Sequence, residues 1–116
     1  MLLCMLKSKI HMARVTDTQI NYEGSITIDE DLIKKVNLLA HERVLIANVD
    51  NGNRFVTYVI TGKKGSKEIC INGAAARLAK KGDRIIIMSF AWMEEEKART
   101  YQSSIIKLDG KNNIIS

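Results

Sequence analysis

The dipeptide Asn51-Gly52 lies between two segments of β-type sequence, residues 42–50 and 54–61. Asparagine-glycine is a strong signal for a short hairpin turn, because both residues accept the positive φ angles that such turns use. The middle of the chain therefore predicts an antiparallel β-hairpin, and the rest of the fold has to be built around it.

Short β-type segments separated by turns continue along the chain. Further strands are predicted over residues 68–72, 84–90 and 101–108, and two more within residues 1–28 that meet near residues 22–25. Residues 62–66 are predicted to form a turn. The tail from Asp109 is predicted to be loose.

Helical segments are few and short. Asp29 can cap a short helix in which Leu32, Ile33 and Val36 share one face. Two more helical segments are predicted over residues 74–80 and 93–99. Many short strands with a few short helices favour a mainly β fold, a closed or nearly closed β-barrel.

Length and composition limit the organisation of the chain. Its 116 residues contain no proline, repeat or linker, which favours a single domain over residues 1–116. Apolar residues make up 46% and charged residues 27%, as in an ordinary soluble protein. We expect no membrane partner, because no stretch approaches the roughly 20 apolar residues of a membrane helix. The apolar N-terminal run lacks a secretory signal's basic region, so a cytoplasmic location is expected.

The formal charge of +5 raises the question of nucleic acid binding. The lysine pairs are dispersed along the chain at 34–35, 63–64 and 80–81, and aromatic residues make up only 5%, too few for a base-stacking platform. We therefore expect no nucleic acid partner, although a small basic binding module for nucleic acid or protein stays open as an alternative.

Cysteine and histidine do not indicate a metal site. Cys4, Cys70, His11 and His41 do not fall at the short intervals of common structural zinc sites, so no metal is expected. Cys70 lies between two isoleucines, where a free thiol behaves as a small hydrophobe.

Four separated motifs carry a specific resemblance. They are Tyr22-Glu23-Gly24-Ser25, Arg54, Thr57-Tyr58 and Asn72-Gly73-Ala74-Ala75-Ala76. Together they make the chain resemble the pyruvoyl-dependent aspartate decarboxylases over residues 1–108. The resemblance implies a small double-psi β-barrel, assembled as a homotetramer with active sites between neighbouring subunits.

The resemblance also implies that the chain cuts its own backbone between Gly24 and Ser25, giving a small chain 1–24 and a large chain 25–116. The Ser25 hydroxyl would attack the Gly24 carbonyl, and elimination from the resulting ester would leave a pyruvoyl group at residue 25. This ketone would replace pyridoxal phosphate: it would form an imine with the substrate amine and accept electrons as carbon dioxide leaves.

Roles for the other residues follow from the same resemblance. Arg54 is expected to hold the substrate β-carboxylate with its planar guanidinium. Thr57 is expected to assist self-cleavage and to line the substrate site, and Tyr58 is expected to return a proton to carbon. Strand alternation sends Arg54 and Tyr58 to one face and Thr57 to the other, so a bend is expected if all three share a site.

The remaining expected contacts are with substrate or with the pyruvoyl group. The resemblance places Asn72, Gly73, Ala74, Ala75, Lys9 and Tyr22 in the pocket, while Ala76 and His11 are left as structural residues. Lys9 would supply a second cation for the dicarboxylate.

The sequence thus predicts a lyase that converts L-aspartate to β-alanine and carbon dioxide for pantothenate and coenzyme A synthesis. A helper protein for self-cleavage stays open. So do two alternatives, the non-catalytic binding module and a pyruvoyl decarboxylase for another amino acid.

Overall fold

The computed structural model describes residues 1–116, and its β-type segments form eight strands hydrogen-bonded into one sheet. The strands are β1 (Leu2–Arg14), β2 (Asp17–Gln19), β3 (Ser25–Asp29), β4 (Arg43–Asn48), β5 (Arg54–Gly62), β6 (Ile69–Asn72), β7 (Arg84–Glu94) and β8 (Ser104–Lys107). Their order across the sheet is β2-β6-β3-β5-β4-β7-β1-β8. Strand residues are 49% and helical residues 13% of the chain, which confirms the mainly β class. The double-psi crossing stays a prediction from the resemblance.

Isoleucine dominates the interior. The core is one cluster of 19 buried residues, and the fully buried isoleucines come from five strands: Ile10, Ile26, Ile28, Ile46, Ile69, Ile71, Ile85 and Ile87. Branched side chains suit a pleated surface. Burying their apolar area stabilises the fold by roughly 25 cal/mol for each Å² removed from water. This core holds the strands that carry the candidate site.

The predicted hairpin is confirmed, with a different turn. β4 and β5 pair antiparallel from Arg43 opposite Tyr58 to Ala47 opposite Arg54. Gly52 has a φ of 78°, but Asn51 keeps a negative φ. The loop closes through hydrogen bonds that the Asn48 N–H donates to the Asn53 carbonyl and the Gly52 N–H donates to the Asn48 carbonyl, both at 2.8 Å. The connection is therefore longer than a two-residue turn.

The N-terminal prediction of two strands meeting near residues 22–25 is wrong. Three strands form there: β1 pairs with β7 and β8, β2 pairs with β6, and β3 begins only at Ser25. β3 lies between β5, to which it is parallel, and β6, to which it is antiparallel. Local sequence could not show this, because every partner of these strands is distant along the chain.

The helices are shorter than predicted. Asp29 caps α1 (Glu30–Lys35) by accepting a hydrogen bond from the Asp31 N–H at 2.9 Å, as expected. Residues 74–80 were expected to be helical, but the segment is a 3₁₀ helix, Gly73–Arg77. α2 covers only Glu95–Ala98, because β7 stays paired with β1 as far as Glu94.

The prediction of a loose tail after Asp109 is wrong. Asn112 is buried, and its side chain bonds the backbone of Arg14 and Lys67. The Ile115 N–H also donates to the Lys107 carbonyl at 2.9 Å. The tail therefore fastens the end of β1 to the loop that precedes β6. No helix in this structure combines the length and apolar character needed to cross a membrane.

Candidate active site

Ser25 is the first residue of β3 and is completely buried, although Gly24 before it is exposed. Its hydroxyl donates a hydrogen bond to the Glu23 carbonyl at 3.0 Å and accepts one from the Asn72 amide nitrogen Nδ2 at 3.0 Å. A buried serine at the edge of an exposed loop places a hydroxyl beside a peptide bond that other molecules can reach. This is the polar centre of the site.

Asn72 lies directly opposite Ser25 in the β3–β6 ladder. Its Nδ2 also donates to the Thr27 hydroxyl at 3.0 Å, and its Oδ1 accepts from the Cys70 thiol at 3.3 Å. Every polar atom of this buried amide is therefore occupied, which fixes its orientation.

Sequence analysis missed Cys70 and Thr27 as parts of this network. Burial raises the pKa of the Cys70 thiol to about 11, and the carboxylates of Asp17 and Glu68 contribute less. At neutral pH the thiol therefore keeps its proton and donates a hydrogen bond to the Asn72 Oδ1. The available signal was the two-residue spacing from Cys70 to Asn72, which puts both on one face of a strand.

Gly73 makes the closest backbone approach in the site. Its φ is 76°, and a Cβ atom there would lie 2.6 Å from the Gly24 Cα and 3.0 Å from the Tyr22 carbonyl oxygen. Gly24 itself has no positive φ, and a Cβ built on it meets nothing within 4 Å. The positive φ of this contact therefore lies at Gly73, not at Gly24.

Tyr58 comes beside Ser25 through strand pairing. β3 and β5 are parallel with Ile26 opposite Val59, so the preceding residues, Ser25 and Tyr58, lie at the same level on adjacent strands. The Tyr58 ring makes an edge contact with His41, with ring centroids 5.9 Å apart. Its hydroxyl has no hydrogen-bond partner in the protein, so it is free to meet a ligand.

The bend expected between Arg54 and Tyr58 is absent. Pairing of β5 with β4 is continuous along this stretch, so Arg54 and Tyr58 share one face and the half-buried Thr57 points to the other. The Arg54 side chain is exposed and forms no ion pair within the chain. The structure therefore aligns these residues along one strand without bringing all three side chains to one face.

Lys9 and Tyr22 are not gathered around Ser25. Lys9 lies on β1, opposite Met88 of β7, and β5, β4 and β7 separate β1 from β3 in the sheet order. Tyr22 is 58% exposed, and only its backbone is near Gly73. Neither side chain contacts Ser25 within this chain.

The other expected backbone contacts are near the site. Ala74 is exposed, while Ala75 and Ala76 are half-buried and pack against the core. No three histidine, cysteine or acidic side chains lie together in an arrangement that could hold a metal ion. His11 is half-buried on β1; burial lowers its pKa, and the charges of Lys9 and Lys107 lower it further.

The buried Ser25 hydroxyl is bonded by an asparagine amide, and a tyrosine hydroxyl without a protein partner lies on the adjacent strand. A hydroxyl nucleophile and a proton donor placed together are typical of an enzyme site. Comparison with known proteins identifies the family. Residues 1–115 match the family described as Aspartate decarboxylase.

Several curated relatives cover nearly the whole chain. The aspartate 1-decarboxylase of Pelotomaculum thermopropionicum is 53% identical over 99% of this chain and 87% of its own length. The aspartate 1-decarboxylase of Clostridium botulinum is 54% identical over 98% of this chain and 90% of its own. That of Clostridium kluyveri is 50% identical with the same coverage.

The chain belongs to the aspartate decarboxylase family. This confirms the resemblance found in the sequence, and with it the prediction of a lyase. Which side chains carry the reaction in this chain is a separate question.

Proposed function

We propose that this chain cleaves itself between Gly24 and Ser25 and then decarboxylates L-aspartate to β-alanine and carbon dioxide through a pyruvoyl group made from Ser25. Family membership supports the decarboxylation of aspartate. The observation that carries the residue assignment is the fully buried Ser25 hydroxyl, held between the Asn72 amide and the Glu23 carbonyl.

Self-cleavage is a chemistry of the chain itself. The Ser25 Oγ bonds to the Gly24 carbonyl carbon as the carbon–nitrogen bond breaks, and the hydroxyl proton moves to the Ser25 nitrogen. Loss of the Ser25 α-proton then expels the carboxylate of Gly24 and leaves a dehydroalanine. Water adds to it and ammonia leaves, giving a ketone at residue 25. We assign Thr57 to the oxyanion that develops during the first step.

The residues around Ser25 fit the pyruvoyl group. The Asn72 Nδ2 donates to the Ser25 Oγ in the uncut chain, and when that oxygen leaves with Gly24 this donor becomes free beside the new ketone. Gly73, without a Cβ, leaves the space that the Gly24 segment occupies. Once formed, the group supplies a carbonyl that binds the substrate amine and accepts the electron pair released with carbon dioxide.

Arg54 is assigned to the β-carboxylate of aspartate. Its guanidinium is exposed and has no ion-pair partner in the chain, so it can bind a carboxylate in a bidentate manner. Binding the α-carboxylate instead would stabilise the charge that decarboxylation removes, and would raise the barrier. The backbone of Gly73, Ala74 and Ala75 is assigned to the rest of the substrate.

Tyr58 is assigned as the proton donor to carbon after decarboxylation. Its hydroxyl is not bound to protein, and it lies one strand away from Ser25 at the same level. The phenol O–H is a donor group, so Tyr58 can act as an acid.

Lys9 and Tyr22 are assigned to the pocket of a neighbouring subunit. In its own chain Lys9 is separated from β3 by three strands, which supports a homotetramer with sites between subunits. We further propose that the enzyme acts in the cytoplasm, supplies β-alanine for pantothenate synthesis and uses no metal or pyridoxal phosphate. The same proposal includes a maturation factor that accelerates the self-cleavage.

Intact mass under denaturing conditions tests the cleavage. We expect the folded protein to give two chains divided before residue 25, the larger with a ketone at its N-terminus, and to release β-alanine from aspartate. Ser25→Ala should remain one chain and inactive. The chain offers a matched control, since Gly65-Ser66 is the same dipeptide in an exposed turn. That bond should stay intact, and Ser66→Ala should cleave and turn over normally.

Two results would refute the mechanism. One is β-alanine release by Ser25→Ala; the other is an uncut wild-type chain with full turnover. Faster decarboxylation of glutamate or a basic amino acid than of aspartate would refute the substrate assignment.

A further inference from the structure

Three asparagine side chains connect the β4–β5 loop to the end of the 3₁₀ helix. The Leu78 carbonyl oxygen accepts hydrogen bonds from the Nδ2 atoms of Asn48, Asn51 and Asn53, at 3.2, 3.1 and 3.3 Å. Leu78 is the C-cap of the 3₁₀ helix, and the last carbonyls of a helix have no partner within it. We call the three asparagines and this carbonyl the asparagine clamp.

Two of the three amides, those of Asn48 and Asn51, are fixed at both their nitrogen and their oxygen. Asn48 is 2% exposed; its Nδ2 also donates to Asp83 at 2.8 Å, and its Oδ1 accepts from the Asp50 N–H at 3.0 Å. The Oδ1 of Asn51 accepts from the Asn53 N–H at 2.9 Å. These contacts orient the amide nitrogens toward one carbonyl, so the loop and the helix end hold a set spacing.

The clamp lies at the end of the candidate site that is distant from Ser25. β5 is parallel and β6 antiparallel to β3. The chain before Tyr58 and the chain after Asn72 therefore both extend past Ser25 in the same direction. The first of these segments begins with Arg54, next to the clamp, and the second is the 3₁₀ helix that the clamp holds.

We propose that the asparagine clamp is a positioning device that sets the distance between Arg54 and the backbone of residues 73–75. This inference rests on the proposed function, in which Arg54 and that backbone hold the two ends of the substrate. A fixed span between them favours a dicarboxylate of the length of aspartate, because a small displacement of either partner removes contacts to both ends.

Two nearly isosteric variants test the clamp, Asn51→Asp and Asn53→Asp. Each keeps the side-chain shape but replaces the donor toward the Leu78 carbonyl with an acceptor. We expect the KM for L-aspartate to rise about tenfold, while kcat changes by less than about threefold, because the Ser25–Asn72 contacts are not altered. Asn53 makes the longest of the three bonds, so Asn53→Asp is the milder variant if Asn51→Asp folds poorly.

Asn37→Asp is the matched control. It removes one exposed amide donor, to the Ser104 hydroxyl, and lies outside the site. It should leave KM and kcat at the wild-type values. Intact mass of every variant should confirm complete cleavage, so that KM is compared among fully processed enzymes.

Combining a clamp variant with Arg54→Lys tests whether the clamp acts through Arg54. In Arg54→Lys, which loses bidentate binding, adding Asn51→Asp should raise KM by less than about twofold, since coupled residues are not additive. An equal rise in both backgrounds would overturn the proposal. The proposal would also be overturned if Asn51→Asp and Asn53→Asp had the same KM as the control Asn37→Asp. Absence of turnover by wild-type protein would instead refute the proposed function, and the inference with it.

Discussion

Gly73 is the residue at which the 3₁₀ helix contacts residues 22–24, which precede the proposed cleavage site. A Cβ atom at Gly73 would lie within 3.0 Å of backbone atoms of Tyr22 and Gly24, so there is no room for a side chain, and the φ of 76° also disfavours one. Both facts make this position more restrictive than Gly24, where a side chain has space.

Gly73→Ala should therefore slow self-cleavage. A Cβ atom 2.6 Å from the Gly24 Cα must displace the segment that carries the scissile carbonyl. A displacement that raises the barrier by about 1.4 kcal/mol slows the reaction about tenfold. The measurement is the fraction of uncut chain in intact-mass spectra taken over time after folding.

Gly65→Ala controls for backbone strain alone. Gly65 has a φ of 78°, but its added Cβ meets nothing within 4 Å. If the two variants cleave at the same rate, the close contact has no role in processing. If only Gly73→Ala is slow, steric access to the Gly24–Ser25 bond is the cause.

Residue types at the site were predictable from the sequence only as far as the motifs extend. Ser25 and Asn72 belong to recognisable motifs, and the structure brings them within hydrogen-bond distance. Cys70 and Thr27 complete the same network but carry no motif. Their roles depend on strand register, which side-chain identity does not encode.

At the scale of elements, the C-terminal tail shows how one polar side chain can fasten a segment. Asn112 is 1% exposed, and its φ of 60° is one that asparagine tolerates. Its Oδ1 accepts from the Arg14 N–H at 2.7 Å, and its Nδ2 donates to the Arg14 and Lys67 carbonyls, both at 3.0 Å.

Asn112→Asp should destabilise the fold by about 2–3 kcal/mol, because two part-buried carbonyls lose their donor and a carboxylate takes the place of a buried amide. Chemical denaturation measures this. Asn37→Asp is the comparison, since Asn37 has nearly the same φ, 59°, but is exposed. Its cost should stay below about 0.5 kcal/mol. Equal stabilities would show that the tail does not contribute to folding.

The elements most open to prediction were those with local signals. The Asn51-Gly52 hairpin and the Asp29 cap are encoded within a few residues, and both are present. The division of residues 1–28 into three strands depends on partners far along the chain. The tail appeared loose because its anchor, a single asparagine in a polar stretch, resembles any exposed loop residue.

At the scale of the whole molecule, β7 is apolar on both faces. Ile85 and Ile87 face the core, while Phe90 is 44% and Trp92 is 68% exposed. A strand exposed to water on one face normally alternates apolar and polar residues, whereas strands covered on both faces read as continuous apolar runs. The composition of β7 therefore indicates that its outer face is covered by another surface.

Neighbouring strands extend this apolar face. Trp92 pairs with Cys4 of β1, and Leu45 of β4 pairs with Val56 of β5, which is 52% exposed. Contiguous apolar patches on the surface of a protein usually mark an interface. The proposed homotetramer gives the face an occupant, a second copy of this chain.

Trp92→Glu should weaken that association. Sedimentation velocity of the wild-type protein should give a mass near four times the 13.0 kDa of one chain. A carboxylate at the centre of an apolar interface would be buried without a partner, so the variant should shift toward smaller species while its far-UV circular dichroism stays unchanged.

Leu39→Glu places the same charge at a position that is 72% exposed on a loop outside this face, and should stay assembled. A monomeric wild-type protein, or Trp92→Glu with undiminished mass, would contradict the assignment of this face to a second copy. Loss of assembly together with loss of aspartate turnover would connect the face to the active sites, because Lys9 would no longer reach a neighbouring Ser25.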